Sequence, residues 1–192
     1  MKAGIIILAA GGSSRMGSPK QLLPFRGTTL LRRAAETAIA SDCDRVVVVI
    51  GNEAREMRRE LAGLAVSIVE NPNWPNGISS SIRAGLEELV NHGLDGVIVM
   101  LCDQPFVTAD ILNDLLNTHR HTDRPIVAST YEQIRGVPAF FSHELFAELK
   151  ALTGDQGARR IIASHPELVA TIAFPSGAVD VDTPHAYAAL TR

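Results

Sequence analysis

Residues 4–20 read GIIILAAGGSSRMGSPK. Ile5, Ile6, Ile7 and Leu8 follow one another with no polar interruption, and the chain then passes through Ala9 and Ala10 into small residues broken by Arg15 and Lys20. An apolar run without alternation is the pattern of a strand covered on both faces. Further runs repeat it: RVVVVIG (45–51), AVSIVEN (65–71), GVIVMLCD (96–103) and PIVAST (125–130). Helical spacing fills the intervals at 29–41, 53–64, 79–93 and 108–121, the last opened by Thr108 as N-cap. Alternation of this kind predicts an α/β fold, a mostly parallel sheet between two helical layers. Right-handed crossovers then put the loops after Ala10, Glu70 and Leu101 on one edge, where open α/β sheets bind ligands.

The last third is less regular. GVPAFFS (136–142) reads as a short strand behind a turn, 154–165 as turn glycines leading into a helix, and ELVATIAF (167–174) and GAVDVDTP (177–184) as short strands before a final helix at 185–192. No repeat or linker interrupts the 192 residues, so a single domain over 1–192 is expected.

The loop after the first strand has the composition of an anion site. Gly11, Gly12 and Gly17 allow close backbone approach, and successive N–H groups in such a turn form a concave cradle. Arg15 adds a planar fork and Lys20 a mobile point charge, a pairing suited to a triphosphate. A flexible Gly/Ser connector with incidental charges is the competing account. Gly12 and Gly17 match P-loop spacing, but Ser18 stands where lysine is required, and G-x-G-x-x-G is absent.

Asp103 ends a buried run just before Pro105 and so faces the same edge, although an Asp that opens a turn is equally ordinary. Ser79, Ser80 and Ser81 stand at a helix start, where serine most often caps. Asp180 and Asp182 would share a face if their segment is a strand. His119, His121, His143 and His165 follow no metal spacing.

A net charge of −3 argues against nucleic acid or an anionic membrane as partner, and 46% hydrophobic residues argue against disorder. Met1–Ser14 has the outline of a signal peptide, but the apolar run is brief and one basic residue precedes it. Cys43 and Cys102 beside strand-like runs suggest reduced thiols and a cytoplasmic protein.

LAAGGSSRMGSPK resembles the signature L-A-A-G-x-S-x-R-M-G-x-x-K of the nucleotidyltransferase family with a molybdenum-cofactor-guanylyltransferase-like fold. The double alanine looks like its cytidylyl branch. Asn71, Trp74, Gly77, Ser81 and Gly85 match a second family pattern, and LCDQP, GVPAFF, GDQGARR and VDVDTP match later ones in order, so the resemblance covers essentially the whole chain. It implies a three-layer αβα Rossmann-like fold of the nucleotide-diphospho-sugar-transferase type, with a mostly parallel mixed sheet. It implies transfer of CMP from CTP to the terminal phosphate of a molybdopterin-type cofactor for use by an apo molybdenum hydroxylase.

Leu8, Ala9, Ala10, Gly11, Gly12, Ser13, Arg15, Lys20, Asn71, Ser80 and Ser81 would then hold the nucleotide. Arg15, Lys20 and Asp103 would carry catalysis, with Asp103 and Asp182 on Mg²⁺ and Asp180 as the alternative or orienting acid. Gln104, Gly136, Pro138 and Asp180 would border the acceptor, although Val137 stands where the family often has His. GTP as donor, a sugar or methylerythritol phosphate as acceptor, and a non-catalytic carrier of the cofactor remain the alternatives.

Overall fold

The computed structural model describes residues 1–13, 16–181 and 183–190. In chain order the elements are β1 (Ala3–Leu8), β2 (Pro24–Phe25), β3 (Thr28–Thr29), α1 (Leu30–Ile39), β4 (Arg45–Ile50), α2 (Ala54–Glu60), β5 (Ser67–Glu70), α3 (Ile78–Leu89), β6 (Gly96–Leu101), α4 (Ala109–Thr122), β7 (Ile126–Tyr131), β8 (Ile134–Ser142), α5 (Phe146–Ala151), α6 (Arg159–Ser164), β9 (Val169–Ala173) and α7 (Pro184–Leu190). Thr108 caps α4 as expected, accepting a hydrogen bond from the Ile111 N–H.

Seven strands form one sheet in the order β5-β4-β1-β6-β8-β7-β9, and β2 pairs with β3 in a separate ribbon. β5, β4, β1 and β6 run parallel, β8 runs antiparallel to both β6 and β7, and β9 runs parallel to β7. This is the mostly parallel mixed sheet implied by the resemblance.

The continuous apolar runs are explained by two cores, one on each face of the sheet. Ile5 and Ile7 pack with Val48, Met100 and residues of α1, α2 and α4, whereas Ile6 and Leu8 pack with Val47, Val99 and residues of α3, α5 and α6. Successive side chains of one strand thus enter opposite layers, and neither face can be polar.

The segment 136–142 is not a short strand. β8 is nine residues long and lies between β6 and β7, where Phe140 and Phe141 are fully buried on opposite faces. The turn that feeds it places Glu132 and Gln133 at φ 46° and 63°, the left-handed pair of a two-residue hairpin. The described residues of 177–184 do not form the expected strand either. A 3-10 turn covers Pro175–Ala178, and α7 begins at Pro184. Beyond that turn Val181 is fully buried with Phe25 and Leu30 in a third small cluster. Its N–H donates to the Asp103 carbonyl (3.1 Å), a tertiary hydrogen bond where the sequence suggested a strand.

Candidate active site

The parallel strands β1 and β6 end side by side at Leu8 and Leu101. Because β8 runs the other way, its first residues return to that same edge. A cavity of about 470 Å³ opens there. The loops after β1, β5 and β6 all contribute to it, through Gly11, Trp74 and Asp103 among others, as the topology requires.

Leu8, Ala9 and Ala10 are buried in its wall, and Gly11 is its exposed lip. A Cβ on Gly11 would meet nothing within 4 Å, so the loop leaves its inner side open. Gly12 has a different reason for its size: a Cβ there would stand 2.9 Å from the Trp74 ring, which also covers Gly51. Ser13, at φ 50°, turns its hydroxyl into the loop itself. Its Oγ accepts from the Lys20 N–H (3.0 Å) and donates to Gln21 Oε1 (3.1 Å).

Gln21 carries more than the sequence suggested. It is buried at 1% exposure, and its Nε2 donates to the carbonyls of Ala9 (2.9 Å) and Gly11 (2.7 Å). Those two bonds occupy the Ala9 and Gly11 carbonyls and pin the turn to Gln21. An amide beside the marked lysine was the available signal.

Lys20 Nζ donates to Asp103 Oδ2 at 2.5 Å, an ion pair that joins the first loop to the end of β6. The Lys20 and Asp103 side chains are 18% and 9% exposed, so the pair sits in the wall of the cavity rather than in bulk water. The other carboxylate oxygen, Asp103 Oδ1, is buried with no hydrogen-bond partner among the described residues. A buried carboxylate oxygen left open beside a cavity has the chemistry to accept a cation. Asp180 lines the same cavity, delivered there by its neighbour Val181. Asp155 lines it as well, from the GDQGARR segment. Gly77 makes that possible, since a Cβ on it, at φ 98°, would lie 2.3 Å from the Gly154 carbonyl. Arg15 and Asp182 lie outside the described residues.

The serine-rich helix start divides. Ser81 lines the cavity, whereas Asn71 and Ser80 line a neighbouring hollow of about 510 Å³. Asn71, 3% exposed, donates through Nδ2 to Ser80 Oγ (2.8 Å) and Ser81 Oγ (3.0 Å) and accepts at Oδ1 from the Asn73 N–H (2.9 Å). The proton of Ser80 goes to the carbonyls of Gly77 (2.8 Å) and Asn73 (3.0 Å).

Of the residues expected to border the acceptor, Asp180 lines the cavity, and Gln104, Gly136 and Pro138 are tied into the fold beside it. Gln104 Nε2 donates to the carbonyls of Val137 (3.0 Å) and Gly177 (3.1 Å), tying β8 to the turn before Asp180. A Cβ on Gly136 would stand 2.2 Å from Tyr131 Oη. Pro138 follows a cis peptide bond, and its carbonyl accepts from Ser129 Oγ (2.7 Å). Arg159 and Arg160 open α6 and are exposed.

With this geometry in view, residues 5–169 match the MobA-like NTP transferase domain. The chain belongs to that family. Among curated relatives of this MobA-like NTP transferase, nicotine blue oxidoreductase of Paenarthrobacter nicotinovorans is 34% identical over 93% of this chain and 91% of its own length. The purine catabolism protein PucB of Bacillus subtilis is 30% identical over 97% and 95%. The molybdenum cofactor cytidylyltransferase of Escherichia coli is 30% identical over 57% and 56%. A crystal structure of Rv0371c from Mycobacterium tuberculosis H37Rv, in complex with manganese, superposes with a TM-score of 0.79 at 31% identity, covering 99% of this chain and 98% of that one. The family is thus one of nucleotidyltransferases, and one relative in it has been seen with a divalent metal. Among the described residues no helix is long and apolar enough to cross a membrane.

Proposed function

We propose that this MobA-like NTP transferase, a single catalytic domain over residues 1–192, transfers CMP from CTP to the terminal phosphate of a molybdopterin-type cofactor. The observation that carries the reading is the meeting of Lys20 and Asp103 in one cavity under the LAAGG turn. An oxygen of the acceptor phosphate attacks the α-phosphorus of CTP in line, the bond from that phosphorus to the β-phosphate's bridging oxygen breaks, and pyrophosphate leaves. No side-chain nucleophile is required, because positioning and charge stabilisation supply most of such a rate.

The N–H groups around Gly11 and Gly12 cradle the triphosphate, and Ser81 contacts the nucleoside. Lys20 swings from Asp103 to offset charge gathering on the α-phosphate. Arg15 grips the β- and γ-phosphates. Asp103, with its open Oδ1, is the ligand for Mg²⁺, and Asp182 or Asp180 is the second acid. When bound, that ion supplies charge stabilisation and a template for the phosphate oxygens. Gln104, Gly136 and Pro138 shape the acceptor side indirectly, by fixing the strand and turn that present Asp180. The product suits an apo molybdenum hydroxylase in the cytoplasm.

Pyrophosphate release across the four NTPs, with a molybdopterin-containing acceptor and Mg²⁺ or Mn²⁺, tests the reading. Release with CTP alone is expected. Release with GTP, or only with a sugar or methylerythritol phosphate, would move the substrate within the family. Tight cofactor binding without pyrophosphate would make the protein a carrier. The 34% identity to nicotine blue oxidoreductase over nearly the full length favours one other reading, an oxidoreductase. Consumption of NADH or NADPH with an aromatic acceptor, and no pyrophosphate, would establish it.

A further inference from the structure

One carboxylate in the cavity wall has two claimants. Asp103 Oδ2 is taken by the Lys20 ammonium at 2.5 Å, while Oδ1 is buried with no partner among the described residues. A divalent ion at Oδ1 would stand one carboxylate's width from Lys20 Nζ, like charge beside like. The two side chains are 18% and 9% exposed, so little water lies between them to screen that repulsion. Asp103 therefore serves the ammonium or the ion well, and both at once poorly.

The cavity offers such an ion little else. Among the described residues no group of three or more His, Cys, Asp or Glu side chains is placed to hold a metal. A hard cation held by so few carboxylates completes its shell with phosphate oxygens and water. A triphosphate meets both shortages, because its charge draws Lys20 off Oδ2 and its oxygens fill the shell. Lys20 is built for that exchange. Its backbone N–H is fixed to Ser13 Oγ (3.0 Å), so the flexible four-carbon stem can move while the loop stays in place.

We infer that the Lys20–Asp103 ion pair is a latch on the metal site: it keeps divalent ions weakly bound to the empty protein and makes their tight binding depend on arrival of the triphosphate. This rests on the nucleotide reading above and adds to it a coupling between the two ligands. The coupling is reciprocal, so the ion tightens the triphosphate by the factor with which the triphosphate tightens the ion. Asp103 thus becomes fully available only when a phosphate chain has taken Lys20 from it.

Electron paramagnetic resonance of the full chain titrated with Mn²⁺ alone, without nucleotide, tests this. Lys20→Met keeps the apolar stem and removes the charge; it is expected to bind Mn²⁺ about tenfold tighter than wild type, within the usual range of coupling between sites. A lysine that only braced the site would give the opposite sign. Arg33→Met controls for the general field: Arg33 Nε donates to the Pro105 carbonyl (2.9 Å), two positions from Asp103, without touching the carboxylate. Its loss should change Mn²⁺ affinity by roughly twofold at most. Where Lys20→Met does not fold, Lys20→Gln carries the same expectation. Calorimetry with CTP, in Mn²⁺ and in EDTA, then measures the coupling, expected to be about tenfold smaller in Lys20→Met than in wild type. Mn²⁺ binding by Lys20→Met no tighter than wild type, an equal gain from Arg33→Met, or equal coupling in Lys20→Met and wild type overturns the inference and leaves the nucleotide reading standing. Failure of the wild-type protein to bind any of the four NTPs would remove both together.

Discussion

Lys20 and Asp103 neutralise each other across 83 positions of chain, and that separation is why the pair is informative. An ammonium and a carboxylate at the mouth of a cavity satisfy one another until a more highly charged ligand arrives. Lys20→Ala is expected to lower kcat roughly 10²-fold, the scale for loss of one preorganised charge stabiliser, and an unchanged kcat in steady-state kinetics would make Lys20 a bystander. Asp103→Ala should abolish turnover at every metal concentration and remove Mn²⁺ binding followed by electron paramagnetic resonance, while circular dichroism stays native. Two glycines make a paired test. Gly136→Ala drives a methyl into Tyr131 Oη and should lower the melting temperature clearly, whereas Gly11→Ala meets nothing and should leave it unchanged while weakening nucleotide binding. The glycines at 11 and 12 were visible as a loop of small residues. That one faces open cavity and the other a tryptophan ring was not, because Trp74 arrives from 62 positions downstream of Gly12.

Elements position these side chains through a few ties at their ends. Thr108 holds the first turn of α4, as read from the sequence, and Thr108→Ala should cost about 1 kcal/mol in denaturant unfolding. Val181 is the less obvious tie. Its side chain fills the cluster with Phe25 and Leu30 while its N–H holds the Asp103 carbonyl, so the segment bearing Asp180 is set by packing rather than by a strand. Val181→Ala should cost on the order of 1–3 kcal/mol and weaken Mn²⁺ binding as well, because the same contact places Asp180. The alternating acids of VDVDTP suggested a strand, and the turn at Pro175–Ala178 shows why the pattern misled. Alternation in a stretch of so few residues fits any extended segment. The long β8 was under-read for the opposite reason. Gly136 and Pro138 look like turn residues, yet one is small for Tyr131 and the other sits beside a register shift at Ala128/Ser129.

Across the whole molecule, the two cores on either side of the sheet govern the chemistry of the thiols they enclose. Burial pushes the Cys43 thiol up to about 11 and raises Cys102 further, with Asp103 beside it adding to the effect. Neither thiol should react with a disulfide exchange reagent at neutral pH in the native protein, and both should react at once in denaturant. His165 shows a surface counterpart at the end of α6, where the Glu148 carboxylate of α5 lies 2.8 Å from Nε2 and raises the imidazole's pKa. A raised native value means the link between these helices is complete below the ordinary histidine range and is lost as pH rises through the raised value. Proton resonance of His165 should show a midpoint above that range, falling toward it in Glu148→Gln, with Glu167 at 3.8 Å still in place.

The parallel strands, most helices, the layer arrangement and the edge that carries the cavity were determined by local pattern, since uninterrupted apolar runs separated by helical spacing favour a sheet covered on both sides. What tertiary structure alone decided is which polar groups meet: Gln21 with two loop carbonyls, Asn71 with two hydroxyls, Val181 with Asp103. Those partners lie far apart in the chain or on different elements, and hydrogen bonds are directional at about 3 Å, a distance no spacing along a sequence encodes.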